Sequence, residues 1–348
     1  PRGYDGGDCT EEQPCRTVAA AYAVAAPGDV IELAAGRYPA QTIAGTRRGS
    51  GPPVLIRAAA GADVRLAELT VTGGRLEVQG VKVPYWSVKY PAANVVIRDV
   101  DTRSFNIYGG RNVTVIGGRV GPFRDSSSFI TATEQGFEAR NIVVDGVTFH
   151  DYVRTRPEVH MECLYVGSVD GITIRRSRFR NCAVFDVFFT QLHGGPTRRV
   201  LVENNWFDSA GSNGGAVSRG YYSFYVAEHN ERVQDYVIRN NSLLQAFYIT
   251  SSRDGRPLEN VKVVGNAGIV DKAPPCFPGV QYAHNVWRGG PRCARTDRRA
   301  NPGFEDEDRF DLRLRDGAAA IGAADPADAP ADDITGGARR DGSPDAGA

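Results

Sequence analysis

A short phrase of alternating hydrophobic and polar residues recurs along the middle of the chain. Each copy begins with a small or polar turn residue, continues as a β-branched strand, and ends in a polar or glycine turn. The copies are NVVIRDVDTRSF, NVTVIGGRVGPF, NIVVDGVTFHDY, GITIRRSRFRNC, RVLVENNWFDSA, DYVIRNNSLLQA and NVKVVGNAGIVD. A period of two predicts strands that each place one face in a hydrophobic core.

A second short strand follows each copy, as in FNIYG, ECLYVG, FDVFFT and YSFYVAE, and the spacing between copies varies from 18 to 36 residues. A unit of two or three short strands cannot bury its own apolar face, so it must stack on its neighbours. Constant strands with unequal loops on one side predict an all-β fold, a right-handed parallel β-helix. The fixed period of a leucine-rich repeat and the four strands per blade of a propeller are both missing.

The two ends of the chain fit the same solenoid. Residues 16–25 predict a short amphipathic helix, which a Pro-Gly turn separates from a buried strand at Val30–Leu33. Such a helix would cover the open edge of the first coil, which otherwise invites aggregation. We therefore expect one domain over residues 1–335, capped by residues 1–35, and a Gly/Pro-rich tail at 336–348.

Composition narrows the range of partners. The chain has 41 Lys plus Arg and 41 Asp plus Glu residues, so its net charge is zero. It therefore lacks the net positive charge that is typical of a nucleic-acid binder. No apolar run approaches the roughly 20 residues of a membrane span. We expect a monomer that binds neither nucleic acid nor a membrane.

Six cysteines form three pairs that are close in sequence: Cys9 with Cys15, Cys163 with Cys182, and Cys276 with Cys293. An even number of near neighbours without a CxxC motif indicates three disulfides in an oxidising compartment. We therefore expect a mature, secreted protein whose signal peptide has been removed. A structural zinc site is rejected because no spacing of Cys, His and Glu matches one.

The segment PGDVIELAAGRY, the repeated coils and the final LRDGAAAIGA and DDITGGARRDGSPDAGA resemble secreted bacterial proteins of the right-handed parallel β-helix superfamily. These relatives include pectate-lyase-like and alginate-lyase-like enzymes. The resemblance implies the fold and a polysaccharide partner. It does not choose an activity, because the superfamily contains lyases, hydrolases, epimerases, esterases and binding proteins.

In a parallel stack, the outward residues of the second strands form a ribbon with one rung about every 4.8 Å. An outward row of tyrosines suits stacking against sugar rings, although it also suits packing beneath long loops. The predicted ribbon contains Ser87, Lys89, Asn106, Tyr108, Thr131, Thr133, Cys163, Tyr165, Asp186, Phe188, Tyr225 and Tyr248. The predicted substrate-binding residues are Lys89, Tyr108, Phe188, Tyr225, Tyr248, His193 and His229.

The longest insertions border this ribbon, at 121–128, 149–160, 191–198 and 209–221, and loops on a rigid scaffold commonly carry function. They contain or adjoin four of the five histidines: His150, His160, His193 and His229. His160 and Glu162 are two residues apart and are expected to share a strand face, with Asp186 on the next rung. A histidine oriented by carboxylates is a usable general acid and base. The alternative is that these groups only fix a loop.

Two catalytic chemistries remain open. A lyase acting on a uronic-acid polymer needs a base and cationic groups that neutralise the carboxylate. His160 or Tyr165 is the candidate base or acid, Arg154 and Arg156 the neutralising groups (with Lys89 a further cation), and Glu162 the orienting group. A glycoside hydrolase instead needs two carboxylates that flank the bond. Its candidates are Glu162 and Asp186, with Asp125, Asp151 and Glu228 as further acids.

A cofactor and a catalytic role are both uncertain at this stage. Asp99, Asp101 and Asp125 are candidate ligands for Ca²⁺, but no loop has the spacing of a known calcium motif. The third functional class is a non-catalytic, adhesin-like protein that only binds glycan. The sequence favours a lyase acting on an acidic glycan by β-elimination.

Overall fold

The computed structural model describes residues 3–45, 51–156, 158–208, 222–227, 233–250, 258–270, 276–339 and 342–348. In these residues the chain winds into successive coils whose strands pair in parallel and form three long sheets, named sheets I, II and III below. The predicted right-handed parallel β-helix is confirmed.

The strands of each sheet come from successive coils. In the described part of the chain, sheet I contains Val30–Leu33, Val54–Ala58, Gly74–Gln79, Ala93–Arg98, Arg111–Ile116, Ala139–Asp145, Val169–Arg175, Arg198–Glu203, Gln234–Arg239, Glu259–Val264 and Val280–Ala283. Sheet II contains Gln41–Ile43, Leu69–Val71, Tyr85–Lys89, Ser104–Tyr108, Ser128–Thr131, Glu162–Gly167, Phe185–Thr190, Tyr222–Ala227 and Phe247–Thr250. Sheet III contains Arg119–Val120, Phe123–Arg124, Thr148–Val153, Arg178–Cys182, Trp206–Asp208, Ser242–Leu243, Ala267–Ile269, Val286–Arg288 and Arg298–Arg299.

Two smaller pairs of strands complete the described β-structure. Gly36–Tyr38 pairs in parallel with Val64–Leu66, and isolated bridges at Lys82 and Asp101 continue this pair toward sheet III. Phe304–Asp306 pairs antiparallel with Asp311–Leu314.

The short helix Val18–Val24 lies against the first coil. Thr17 caps it, because its side chain accepts a hydrogen bond from the backbone N–H of Ala20 at 3.2 Å. Tyr22 is buried and its hydroxyl donates to the carbonyl of Gly74. The helix therefore covers the core at this end, and among the described residues no helix is long and apolar enough to cross a membrane.

Aromatic side chains fill the core in columns that run from coil to coil. The rings of Trp86 and Phe105 stack with centroids 4.4 Å apart, and those of Phe149 and Phe179 stack at 4.7 Å. Phe207 continues the second column at 5.0 Å from Phe179. Equivalent positions thus repeat one residue type because parallel pairing places them directly above one another.

The turn between sheets II and I explains the first residue of each repeated phrase. Asn94, Asn112 and Asn141 have φ values of 58°, 52° and 54°, a left-handed conformation that asparagine tolerates better than most residues. Their amides form an exposed ladder, in which each Nδ2 donates to the preceding Oδ1 at 2.9 and 3.0 Å.

A second asparagine ladder is buried at the turn between sheets I and III. Asn205, Asn241, Asn266 and Asn285 occupy successive coils, and Asp297 ends the series. Each Oδ1 accepts from the backbone N–H and the Nδ2 of the preceding member. The ladder satisfies backbone groups that would otherwise be buried without partners.

The three predicted disulfides are confirmed: Cys9–Cys15, Cys163–Cys182 and Cys276–Cys293. The described residues beyond 335 lie against the solenoid. Arg339 donates to the side chain of Asn204 at 2.7 Å, and Ala346 is buried. The domain boundary at residue 335 itself stays a prediction.

We expect Asn241→Ala to destabilise the protein by about 3 kcal/mol, because it removes the acceptor of the buried N–H of Asn205 and the amide that donates to the carbonyls of Val202 and Arg239. Chemical denaturation measures the change. Asn301→Ala is the matched control, since Asn301 is exposed and accepts one turn hydrogen bond from Gly303. Equal effects of the two substitutions would contradict a structural role for the ladder.

Candidate functional site

A histidine and a buried carboxylate meet at the start of the sheet II strand Glu162–Gly167. Glu162 Oε1 lies 2.7 Å from Nδ1 of His160, and their side chains are 1% and 56% exposed, respectively. Apart from this ion pair, Oε1 has no hydrogen-bond partner among the described residues. One half of the pair is therefore fixed in the protein, while the other faces solvent.

Ser127 holds Glu162 from the neighbouring coil. Its hydroxyl donates to Oε2 of Glu162 at 3.2 Å and accepts the backbone N–H of Glu162 at 2.8 Å. This reciprocal contact fixes both the strand end and the carboxylate. The sequence analysis did not identify Ser127, because only the register between the coils brings residues 127 and 162 together.

The carboxylate determines the electrostatics of His160. The pKa of His160 is raised, because the hydrogen bond from Nδ1 to Glu162 and the attraction to that carboxylate outweigh partial burial and the nearby Arg154. A carboxylate at Nδ1 keeps the proton on that nitrogen, so the neutral ring carries its lone pair on Nε2. Nε2 is then the ring nitrogen that can accept a proton.

The two predicted neutralising arginines differ in position. Arg154 is close enough to His160 to oppose its protonation, and one guanidinium nitrogen donates to the carbonyl of Val159 at 3.3 Å. Arg156 instead has its Nε 3.9 Å from Asp125 and is largely exposed. Only Arg154 is therefore placed beside the histidine.

The predicted tyrosine column is present on the outer face of sheet II. Tyr165, Phe188, Tyr225 and Tyr248 are register partners on four successive coils. Their neighbouring ring centroids lie 5.2, 5.7 and 5.1 Å apart. We call these four residues the aromatic column.

Other aromatic rings widen this column, and the sequence analysis did not identify them. Phe185 stacks on Tyr225 at 4.8 Å, Tyr222 contacts Tyr248 at 5.5 Å, and Phe129 contacts Tyr165 at 5.3 Å. His160 meets the edges of Phe185 and Phe188 at 5.4 and 5.5 Å. The histidine thus stands at one border of a continuous aromatic cluster, in which Phe185 and Phe188 are buried and Tyr165, Tyr225 and Tyr248 are partly exposed.

The prediction that Cys163 and Asp186 face outward is wrong. Both are fully buried, at equivalent positions near the start of their strands, where the chain turns out of sheet III. Neither oxygen of Asp186 has a hydrogen-bond partner among the described residues. Burial, followed by repulsion from Asp208, raises the pKa of Asp186 well above its ordinary value. Strand alternation fails here because both residues lie at a corner.

The remaining predicted binding residues are spread along the sheet. Lys89 and Tyr108 are register partners, three and two coils before Tyr165. His193 follows the strand Phe185–Thr190 and so lies at the edge of sheet II opposite His160, about 17 Å away along the strand direction. His229 and Glu228 lie outside the described residues.

The histidines do not cluster in space. His150 forms an ion pair with Asp151, with 2.9 Å between Nδ1 and the carboxylate, on sheet III. His284 lies 3.6 Å from Asp325, near the C-terminal coils. Their proximity to loops in the sequence therefore does not define one site, and among the histidines that the structure describes only His160 borders the aromatic column.

The candidate calcium ligands lie in different environments. Asp125 accepts from the backbone N–H of Thr155 at 2.7 Å, and hydrogen bonds to Thr155 lower its pKa. Asp101 forms an isolated parallel bridge with Lys82, and Asp99 is on an exposed turn. No three His, Cys, Asp or Glu side chains converge anywhere in the part of the chain that the structure describes. A role for these three residues in binding Ca²⁺ therefore stays a prediction.

The fold defines a parallel β-helix protein with a histidine–carboxylate pair beside an aromatic surface. Among solved structures, the chain is similar to pectate lyase Pel9A, with 12% identity, 100% of this chain and 94% of that chain covered, and a TM-score of 0.51. It is also similar to a rhamnogalacturonan lyase (12% identity, 86% and 85% covered, TM-score 0.48). A third similar structure is the catalytic domain of a GH87 alpha-1,3-glucanase (11% identity, 75% and 60% covered, TM-score 0.43).

Searches against family models and against curated proteins found no match. At these identities the similar structures establish the fold alone. The chemistry has to be argued from the side chains of this chain.

We expect Glu162→Gln to lower the pKa of His160, because the variant loses the carboxylate that stabilises the imidazolium. Titration of the histidine ring protons by NMR measures the change. The pair stabilises the folded protein fully below the unfolded histidine pKa of about 6.5, and this contribution is lost as pH rises through the raised folded pKa. The difference in the free energy of unfolding between wild type and Glu162→Gln should therefore become smaller as the pH rises through the folded pKa of His160.

Asp151→Asn is the matched control, because it removes the carboxylate paired with His150. It should leave the titration of His160 unchanged. If the titration midpoint of His160 were the same in Glu162→Gln as in wild type, Glu162 would not be what raises the pKa of His160.

Proposed function

We propose that this protein binds an acidic polysaccharide across the outer face of sheet II and cleaves it by β-elimination, with His160 as the base. The observation that carries the proposal is the 2.7 Å contact between a buried, doubly held Glu162 and a half-exposed His160 at the border of the aromatic column. A carboxylate in this position orients the ring and increases its basicity.

In the proposed reaction, Nε2 of His160 removes the proton from the carbon next to the uronate carboxyl group. The released electron pair forms a double bond to the adjacent ring carbon, whose bond to the glycosidic oxygen breaks. Tyr165 donates a proton to that departing oxygen. Arg154 neutralises the uronate carboxylate, which lowers the cost of the charge that develops there in the transition state.

The protonation states agree with these roles. His160 acts as a base only when neutral, so the rate should rise with pH through its raised pKa. Glu162 stays in place throughout, because Ser127 and its own backbone anchor it.

The position of Asp186 favours elimination over hydrolysis. A hydrolase needs two carboxyl groups that both reach the sugar. Asp186 is fully buried, which raises its pKa and leaves it without access to a ligand. Among the predicted acids, Glu162 is also buried, so this chain offers no exposed carboxylate pair at the aromatic column within the described residues.

The length of the aromatic column supports a polymeric substrate. Four coils at about 4.8 Å each give a path of about 14 Å between the first and last rings, enough for several sugar rings. Similarity in fold to a pectate lyase and the three disulfides support a secreted enzyme that acts on a uronic-acid polymer.

The test is incubation with polygalacturonate, alginate and chondroitin while ultraviolet absorbance of the unsaturated product is followed. We expect activity on one of them and a loss of kcat of about 10²- to 10⁴-fold in His160→Ala. His284→Ala, near the C-terminal coils, should retain activity. Release of reducing ends without unsaturated product would indicate a hydrolase instead. Binding with neither product would indicate a non-catalytic glycan-binding protein.

The aromatic column can be tested separately from the chemistry. We expect Tyr225→Leu to weaken oligosaccharide binding about five- to tenfold, because leucine keeps most of the packing but removes the flat ring. Isothermal titration in a His160→Ala background measures affinity without turnover. Phe137→Ala is the control, since Phe137 is exposed and stacks on Tyr90 away from the column. Unchanged affinity in Tyr225→Leu would exclude the column as the binding path.

A further inference from the structure

A second concave surface lies on the sheet III side of the amino-terminal coils. Its volume is about 730 Å³, and its charged lining consists of five cationic side chains and one carboxylate. These residues are Arg37, Arg65, Lys82, Arg103, Arg119 and Asp101. We call this surface the basic groove, and it contains neither the His160–Glu162 pair nor the aromatic column.

Parallel register arranges most of these charges in one line. Arg37 pairs with Arg65 on the next coil, Arg65 with Lys82, and Lys82 with Asp101. Arg119 follows on the next coil, because the adjacent residues Thr102 and Val120 are partners. Five successive coils thus form a line about 19 Å long.

The like-charge neighbours in this line, Arg37 with Arg65 and Arg65 with Lys82, are unfavourable for folding when nothing is bound. Like charges directly opposite each other on neighbouring strands repel. Asp63 offsets part of this repulsion, with contacts of 2.8 Å to Arg65 and 2.9 Å to Lys82. Within the described residues, the guanidinium groups of Arg37, Arg103 and Arg119 form no ion pair. The groove therefore presents three arginines whose charges are available to an anion.

Apolar surface lies between these charges. Pro84 and Pro122 are exposed members of the lining, and the buried Leu66 and Val83 lie beneath them. Apolar ring surface alternating with guanidinium groups suits a chain of pyranose rings that carry acidic substituents. An exposed aromatic side chain for stacking against bases is missing from this lining, which disfavours a single-stranded nucleic acid.

We propose that the basic groove is a second, non-catalytic binding site for an anionic polysaccharide, in which Arg37, Arg103 and Arg119 bind carboxylate or sulfate groups. This site goes beyond the proposed activity and does not depend on His160. It would hold a segment of polymer on a different face from the aromatic column. Two sites on one rigid solenoid would increase retention on a polymer through multivalency.

The test compares two triple variants in a His160→Ala background, which separates binding from turnover. The first is Arg37→Gln with Arg103→Gln and Arg119→Gln. The control is Arg111→Gln with Arg299→Gln and Arg315→Gln, which removes the same charge at exposed arginines outside the groove. The probes are a galacturonic acid hexasaccharide, a heparin hexasaccharide, cellohexaose and a short single-stranded DNA.

We expect the groove variant to bind the anionic hexasaccharides about tenfold more weakly and with a flatter salt dependence, because three exposed ion pairs are lost. The control should change affinity less than about twofold. Ligand should slow hydrogen exchange at the groove strands and bridges, around residues 101–103 and 119–121. Tighter binding of either anionic hexasaccharide than of cellohexaose supports the proposed groove site. The anionic hexasaccharide that binds more tightly identifies the preferred acidic group.

Three results would overturn the proposal. Equally weakened binding of the anionic hexasaccharides in both triple variants would indicate a general charge effect. Slowed hydrogen exchange confined to sheet II would show that the ligand does not bind in the groove. Tighter binding of DNA than of either anionic hexasaccharide would make the groove a nucleic-acid site. A protein that fails to produce unsaturated product would leave this binding test unaffected.

Discussion

The hydrogen bonds between successive parallel coils govern every other feature of this protein, because they hold equivalent residues about 4.8 Å apart. Any residue type repeated at one register position becomes a column. Asparagines form such a column inside the turn between sheets I and III, aromatic rings form one on sheet II, and cations form one beside sheet III. The three columns differ in whether their members attract or repel one another. Buried amides satisfy one another and aromatic rings attract, whereas the cations repel and gain only when an anion is present.

The same constraint explains how much could be predicted from the sequence. Alternation within straight strands was sufficient to predict the solenoid, the inward residues and the column from Tyr165 to Tyr248. It failed for Cys163 and Asp186, because both lie at a corner where the chain changes sheets and alternate residues no longer face solvent. The buried asparagine ladder had a visible signal in the paired asparagines of ENN and RNN. Ser127 and the line of cations had none, since both require the register across loops of unequal length.

The two outer surfaces suit different parts of one ligand. The aromatic column offers flat rings and borders a group that exchanges protons, while the basic groove offers charge and no such group. Attraction to the groove would fall with salt, whereas stacking on the column would change little. A polymer with both sugar rings and acidic groups can use both surfaces, but a neutral polymer can use only the column. An acidic polysaccharide would therefore fit both proposed sites.

Glu162 and Asp186 show why the chemistry is confined to one coil. They come from adjacent coils, and both are withdrawn from solvent. A carboxylate without a partner is strongly disfavoured in such a place, so each must gain a cation or accept a proton. Glu162 has His160 and the hydroxyl of Ser127, while Asp186 has the like charge of Asp208 nearby and its pKa is raised. His160 extends from its buried partner into solvent beside the aromatic column, so this coil connects a buried carboxylate to that surface. In the proposed function, binding would thus extend over several coils, whereas proton transfer would be limited to the coil that carries His160.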